Sequence, residues 1–469
     1  MRIALLLLLL ASSVSCGNQN NSEYTKGKGT GTNKTGNSDS SSGQTLVKHF
    51  PKRGIVSDYH ANNGLNITYY IPEEKKPEEN LPIIIFLDPH GKGQFPVTKY
   101  KSLADQFEVI LVGSNDSKNG MSFDVSTKIV SDLKSFAEQN FNFSDSMRRK
   151  PIRVFLAGFS GGAKAALVAA NTSDGFTGTI YCGAAFPPKA IPDKVDDFGI
   201  AGREDMNYSE VRKFHASFDQ SQNSHVLSEW DGKHEWPDSL TFSESLFWVR
   251  FEMMRKGFTG KDTALIAQFI NLENKRIAKE KSLTNKAMHL NKSIRMLSQI
   301  DPAKKYRIQL EDILTSEDYK KAKAAETNAL AVEENQKGEL IEAFQSKDLS
   351  WWKIKIDGLR NTQSPGNRRL LGFISLAAWS YSSKAIAGGD YQFARNALKI
   401  YKLADPDNAE QPYLLACLFS QTGLQDSAMY YLSESIRMGF DDKLKLETEQ
   451  SLFALHDRYD FHELLSHLK

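Results

Sequence analysis

Three cysteines in 469 residues are too few for a disulfide framework, and Cys182 and Cys417 lie far apart in regions of different texture. Both fit buried apolar positions, and neither is expected in a structural bridge. No excess of either charge is present: the net value of +2 gives no reason to expect nucleic acid or an acidic polymer as partner. Histidine and cysteine nowhere cluster at ligand spacing, so no metal is expected, and no cofactor is implied. No internal run is long and apolar enough to span a bilayer. What remains is an ordinary globular composition, 40% hydrophobic and 25% charged, in a chain too long for a single core.

The first residues differ from everything after them. Met1-Arg2 precedes the apolar run Ile3–Ala11 and the small residues Ser12-Ser13-Val14-Ser15, ending at Cys16. A short basic start, a short apolar stretch and small residues before a cut make a secretory signal over residues 1–15. A cysteine directly after the cut resembles the lipobox of bacterial lipoproteins, although Ser13 stands where leucine is commoner. The resemblance implies lipidation of Cys16 and a place in a bacterial cell envelope, on the periplasmic or surface side of a membrane. The alternative is an ordinary signal with an incidental cysteine. Residues 16–46, rich in Gly, Ser, Thr, Asn and Lys, read as a flexible polar tether.

Over residues 47–257 strand patterns alternate with helical ones, which predicts a doubly wound, mainly parallel sheet. Strands are expected at Asn66–Ile71, Leu81–Leu87, Phe107–Gly113, Ile152–Ala157, Thr177–Ala185, Asp197–Ala201 and His225–Trp230. The most informative stretch is Ile152–Ala166. Its first part is an apolar strand, its last part an Ala-rich helix, and between them lies Gly158-Phe159-Ser160-Gly161-Gly162. A G-x-S-x-G between strand and helix holds a serine on a turn too sharp for Cβ atoms two residues to either side. The bare pattern is weak; its strand-and-helix context makes Ser160 the candidate nucleophile.

Catalytic groups on such sheets collect beyond the carboxyl ends of strands. After Leu87 comes Asp88-Pro89-His90-Gly91-Lys92-Gly93, where the Gly91 N–H is a candidate oxyanion donor beside that of Gly161. His90 is expected to shape that loop; a simple Gly-rich turn is the other reading. After Ala201 comes Gly202-Arg203-Glu204-Asp205, and Asp205 is preferred to Glu204 as the acid that orients a histidine; a helix N-terminal acid is the alternative. After Trp230, His234 lies in a Gly-containing loop where a general base belongs, with Trp230 and Trp236 able to line a pocket or the core. His215 and His225 are poorer candidates. The polar loop Ser114–Gly120 is read as a plain turn or a substrate contact.

With these motifs in place, residues 80–257 resemble the α/β-hydrolase superfamily, nearest its dienelactone-hydrolase, feruloyl-esterase and polyhydroxybutyrate-depolymerase-like branches. The elbow Gly158–Gly162 and the loop Gly-Lys-His-Glu-Trp-Pro carry the resemblance. It implies an eight-stranded sheet and hydrolysis of an ester, or an amide, through an acyl-enzyme. The substrate is left open.

Residues 258–469 read as all helical. Asp262–Gln345 is expected to form stacked hairpins whose charges make a solvated face. Nearer the end, Gly389, Ala394 and Leu398 recur 34 residues on as Gly423, Ala428 and Leu432, which resembles a short tetratricopeptide array over 375–441. Phe440 stands where Pro406 closes the first copy. Such repeats imply a protein partner, and an envelope scaffold without catalysis is the alternative to a lipid-anchored serine hydrolase. A prolyl-oligopeptidase-type peptidase would lack its usual β-rich gate.

Overall fold

The structure is a computed structural model that describes residues 52–61, 63–73, 81–141, 152–362 and 364–468. The expected signal, Cys16 and the tether lie outside the described residues.

Eight strands form one sheet: β1 (Gly54–His60), β2 (Asn66–Ile71), β3 (Ile83–Leu87), β4 (Ile110–Ser114), β5 (Val154–Phe159), β6 (Gly178–Cys182), β7 (Asp196–Gly202) and β8 (His225–Trp230). Their order is β1-β2-β4-β3-β5-β6-β7-β8, antiparallel at β1–β2 and β2–β4 and parallel from β4 to β8. Alternation explains why both faces are covered. Ile83, Ile85 and Leu87 join one apolar cluster with Val130, Leu133 and Ala166, while Ile84 and Phe86 join another with Tyr100, Phe242 and Trp248. A strand buried on both sides therefore reads as a continuous apolar run. β1 was not anticipated, because it is an edge strand exposed along Asp58–His60 and lacks such a run. The strand expected to begin at Phe107 begins at Ile110, since Phe107 closes the preceding helix.

The covering helices are α1 (Gln94–Phe107), α2 (Phe123–Asn140), α3 (Gly161–Thr172), α4 (Tyr208–Ala216) and α5 (Ser239–Arg255). Polar caps start two of them: Ser122 accepts the Val125 N–H, and Asp238 accepts the Thr241 N–H at 2.7 Å.

From α6 (Thr263–Lys279) onward the chain is helical: α7 (Leu283–Leu297), α8 (Lys304–Thr315), α9 (Glu317–Ser346), α10 (Leu349–Asn361), α11 (Pro365–Ala387), α12 (Tyr391–Ala404), α13 (Glu410–Gln421), α14 (Gln425–Arg437), α15 (Lys443–Thr448), a 3₁₀ turn at Gln450–Leu455, and α16 (Tyr459–Ser466). The 34-residue repeat falls on successive hairpins. Gly389 after α11 and Gly423 after α13 both take left-handed φ, 78° and 77°, and Ala394, Ala428, Leu398 and Leu432 are all buried.

Core boundaries do not follow the change of texture at 257. Ile266, Phe269, Ile277, Leu290, Ile294 and Tyr306 of α6–α8 belong to the same apolar cluster as Phe198, Val226 and Trp248 beneath the sheet. A separate core begins at Leu340 and runs through α9–α16. The charges of 262–345, expected from sequence to make a solvated face, are not all solvated: Glu273, Lys292, Glu333 and Lys337 are buried. Lys292 Nζ lies 3.2 Å from Glu273 and also meets Glu244, which accepts the Ser228 hydroxyl at 2.7 Å. Burial alone would raise the Glu244 carboxyl, but Lys292 and Arg276 hold it down at about 2. Helical spacing showed which residues share a face, not that a second layer would cover it.

Candidate active site

Strand register brings four chain segments to one edge of the sheet. Leu87 pairs with Gly158, Phe159 with Cys182, Cys182 with Ile200, and Gly202 with Trp230. The residues next in sequence therefore emerge side by side: Asp88, Ser160, Arg203 and Asp231.

Ser160 links β5 to α3 with φ 53° and ψ −121°, a conformation that costs an L-residue of order 1–3 kcal/mol. The glycines around it are required by contact. A Cβ on Gly158 would lie 2.2 Å from the Gly162 carbonyl oxygen, and one on Gly162 would lie 2.0 Å from that of Leu87. The Ser160 N–H donates to Cys182 O at 2.9 Å, tying the turn to β6. Directly below, α3 begins with the N–H groups of Gly161 and Gly162, which have no carbonyl four residues back in the helix and carry its positive end.

The geometry brings Ser160, His234 and Asp205 into one hydrogen-bonded chain. Ser160 Oγ and His234 Nε2 are 3.0 Å apart, and His234 Nδ1 lies 3.0 Å from both oxygens of Asp205. Asp205 is 2% exposed, and one of its oxygens also accepts the Asn207 N–H at 2.8 Å. Glu204 faces the other way and pairs with Arg368. Phe159 packs on the His234 ring at 4.7 Å between centroids. Two backbone bonds hold the acid loop to the histidine loop: Arg203 N–H to Trp230 O at 2.8 Å and Glu204 N–H to Gly232 O at 2.9 Å. His215, by contrast, is buried, and burial lowers its pKa to about 3. His225 opens β8, a strand's length from His234.

The loop after β3 closes differently from the sequence expectation. The Gly91 N–H, expected to face an oxyanion, donates instead to Asp88 O at 3.2 Å, and Gly91 has φ +72°. Gly91 thus supplies a left-handed turn and not a donor. The His90 N–H goes to Asp88 Oδ1 at 2.9 Å and the Gly93 N–H to Ser114 O at 3.1 Å. The Lys92 N–H makes only a long 3.4 Å contact, to Asp88 Oδ1. His90 itself is exposed, with its ring 3.5 Å from the Asp88 carboxylate.

Sequence reasoning passed over Asp88 and Asn119. Asp88 is buried and accepts the Trp236 indole N–H at 2.8 Å, joining the β3 loop to the histidine loop. Burial pushes its carboxyl up, but hydrogen bonds from the His90 ring, Trp236 and the His90 N–H prevail and hold it below the usual carboxylate range. Its position directly after an apolar strand was the available signal. Asn119 lies so close to Gly161 that a Cβ there would be 1.8 Å from Asn119 Oδ1, so the loop Ser114–Gly120 reaches the nucleophile turn. Trp236 is core, meeting Phe86 and Tyr100 edge-on and Phe159 at a tilt. Trp230 packs partly buried against the same cluster. The two later cysteines are buried and unpaired with each other, and burial pushes the Cys417 thiol up to about 12. Among the described residues no group of His, Cys, Asp or Glu is arranged to hold a metal ion, and no helix is long and apolar enough to cross a membrane.

No protein-family model and no curated protein sequence matches the chain. Among solved structures it is similar to S-formylglutathione hydrolase (FrmB) from Staphylococcus aureus, at 15% identity and TM-score 0.34, over 42% of this chain and 98% of that one. An esterase from the archaeon Pyrobaculum calidifontis is similar at 10% identity and TM-score 0.33, over 44% of this chain and 86% of that one. A fungal esterase from Rhizomucor miehei is similar at 13% identity and TM-score 0.34, over 45% of this chain and 86% of that one. At such identities and scores neither the activity nor the site residues of those proteins transfer to this chain. What the described residues define on their own is a doubly wound, mainly parallel eight-stranded sheet followed by a helical region.

Proposed function

We propose that this protein is a serine hydrolase that cleaves a carboxylic ester through Ser160, His234 and Asp205. The observation that carries the reading is the unbroken Ser160–His234–Asp205 hydrogen-bonded chain, at 3.0 Å per step, on a strained strand-to-helix turn. Strain at a non-glycine residue is expensive to maintain and is found where a side chain must be presented. In the proposed reaction Ser160 Oγ attacks the substrate carbonyl carbon as His234 Nε2 takes its proton. Asp205 holds the Nδ1–H tautomer and stabilises the imidazolium. The Gly161 N–H, at the start of α3, holds the oxyanion. His234 then returns the proton to the leaving alcohol, and water, deprotonated by His234 in turn, releases the acid and Ser160.

The preference for an ester over an amide or thioester rests on the family resemblance of the elbow and histidine loop. Lipidation at Cys16, on the envelope side of a bacterial membrane, belongs to the same proposal and rests on the first sixteen residues. A Cys16→Ser variant is expected in the soluble fraction, and its retention on membranes would remove the anchor.

The test is labelling of purified protein with a fluorophosphonate probe beside Ser160→Ala. Labelling that vanishes in the variant is the expected result. Absent labelling of a folded sample would reject the hydrolase reading and favour a non-catalytic scaffold, with the helical repeats as the part that binds a protein partner.

A further inference from the structure

Asp205 lies in a short loop between β7 and α4, and its backbone neighbours look away from the sheet. The carbonyl of Arg203 accepts a hydrogen bond from Arg369 Nη1 on α11. The carbonyl of Met206 accepts one from Lys337 Nζ on α9, at 2.9 Å. Glu204 pairs with Arg368, the residue before Arg369. The Met206 side chain packs on the helical region's own core, and its sulfur faces Gly372 of α11. Residues on both sides of the acid are thus held from α9 or α11, across 131 or more positions of sequence.

The two cations that do this are themselves fixed. Arg369 is buried and forks onto buried Glu333, with Nε at 2.9–3.0 Å and Nη2 at 2.6 Å from its oxygens. Its guanidinium also lies 4.9 Å from the centre of the Tyr208 ring, at the start of α4. Lys337, buried too, lies 3.6 Å from Glu333 and 3.1 Å from Glu334. Buried ion pairs are a poor source of stability, because desolvation offsets most of their attraction, but they hold geometry tightly. Here the donors left over after pairing with Glu333 go to the two carbonyls that bracket Asp205.

We propose that Arg369 and Lys337 are positioning residues for Asp205, so that the docked helical region completes the site. This rests on the reading of Ser160, His234 and Asp205 given above. Displacing the loop shifts the Asp205 carboxylate from His234 Nδ1, and misplacement of a supporting group by about 1 Å can lower turnover on the order of a hundredfold.

Two variants test it. Lys337→Met removes the donor to Met206 O together with the pairs to Glu334 and to Glu333, which keeps Arg369. Arg369→Met combined with Glu333→Leu removes both partners of the buried pair, and Lys337 keeps its 3.1 Å pair with Glu334. Two measurements are made on each: steady-state kinetics on a p-nitrophenyl ester, and the far-downfield proton resonance of the His234 Nδ1–H, assigned by its loss in His234→Gln. Expected are a kcat lowered about ten- to a hundredfold with KM within about threefold of the parent, and a His234 resonance moved upfield or lost. Parental kcat and an unmoved resonance in both variants would overturn the proposal, and so would a shifted resonance in Arg368→Ala alone. The resonance needs no turnover. If the parent shows it but neither labels nor hydrolyses, the hydrolase reading fails while the positioning claim is still decided. If the double variant does not fold, Lys337→Met decides alone.

Discussion

Ser160 sits on a turn whose neighbours come from β3, β5, β6 and α3, whereas Asp205 sits in a loop whose flanking carbonyls are held by α9 and α11. One support is local and made of backbone contacts at 2.0–2.2 Å from any added Cβ. The other is distant and made of two buried cations. A turn that is closed by sterics tolerates no side chain; a loop braced by side chains tolerates change but loses alignment. The two halves of one site should therefore fail differently: the nucleophile by unfolding its turn, the acid by drifting.

The largest effect expected is at the acid itself. Asp205→Asn keeps the loop but offers His234 the wrong partner, and kcat should fall by roughly 10⁴ with little change in folding. Glu204→Gln, which touches only the exposed pair with Arg368, should stay near the parent value in the same assay. Comparable losses from both would mean that the loop, and not the Asp205–His234 bond, is what the assay reads.

Next is the turn. In Gly162→Ala the new Cβ meets Leu87 O, a backbone atom of a central strand that cannot move without disturbing β4 and β5. Overpacking of this kind costs about 1–3 kcal/mol. The urea midpoint and the fluorophosphonate labelling should fall together. Retained stability with lost labelling would show the turn to be softer than its contacts imply, and would narrow the contrast with the acid loop.

How much of this was readable beforehand follows the same division. Ser160, its glycines and the strand before it announce themselves because the pattern of the turn is written in adjacent residues, although Leu87 and Cys182 close it from β3 and β6. His234 and Asp205 were found from their places after strand ends, and the structure brings both to Ser160. Gly91 was misread because the direction of an N–H depends on how the turn closes, here onto Asp88 O, and a glycine states only that some unusual φ is needed. Arg369, Glu333 and Lys337 could not be found at all. On a helix they look like solvated charges, and only the packing of α9 and α11 on the acid loop buries them. The same holds for Glu273 and Lys292.

Asp88 offers a smaller test, on the side of the site opposite the brace. Trp236→Phe keeps the ring among Phe86, Tyr100 and Phe159 but removes the N–H that Asp88 accepts. One lost bond to a buried carboxylate should cost about 1–3 kcal/mol. The sign with pH follows from the depressed carboxyl of Asp88. Its stabilising contribution is complete above the ordinary carboxylate pKa, near 3.8, and disappears as pH falls through the lower folded-state value. The parent should therefore exceed Trp236→Phe in stability at neutral pH, and the gap should close below that range. A gap that stays constant into acid would assign the effect to packing of the indole.

The smallest effect separates docking from bracing. Lys92, in the β3 loop, meets Asp441 between α14 and α15, a second contact of the helical region with the site's surroundings. Both side chains are largely exposed, at 44% and 68%, so the pair contributes at most about 1 kcal/mol and weakens with salt. Lys92→Ala should leave kcat within about twofold of the parent, because only an exposed, screened pair is lost. The buried brace at Lys337 and Arg369 should act on turnover at any ionic strength. If Lys92→Ala instead lowers kcat as much as Lys337→Met does, the helical region acts on the site through its far end as well, and the contrast between a locally built nucleophile and a remotely braced acid extends to the loop after β3.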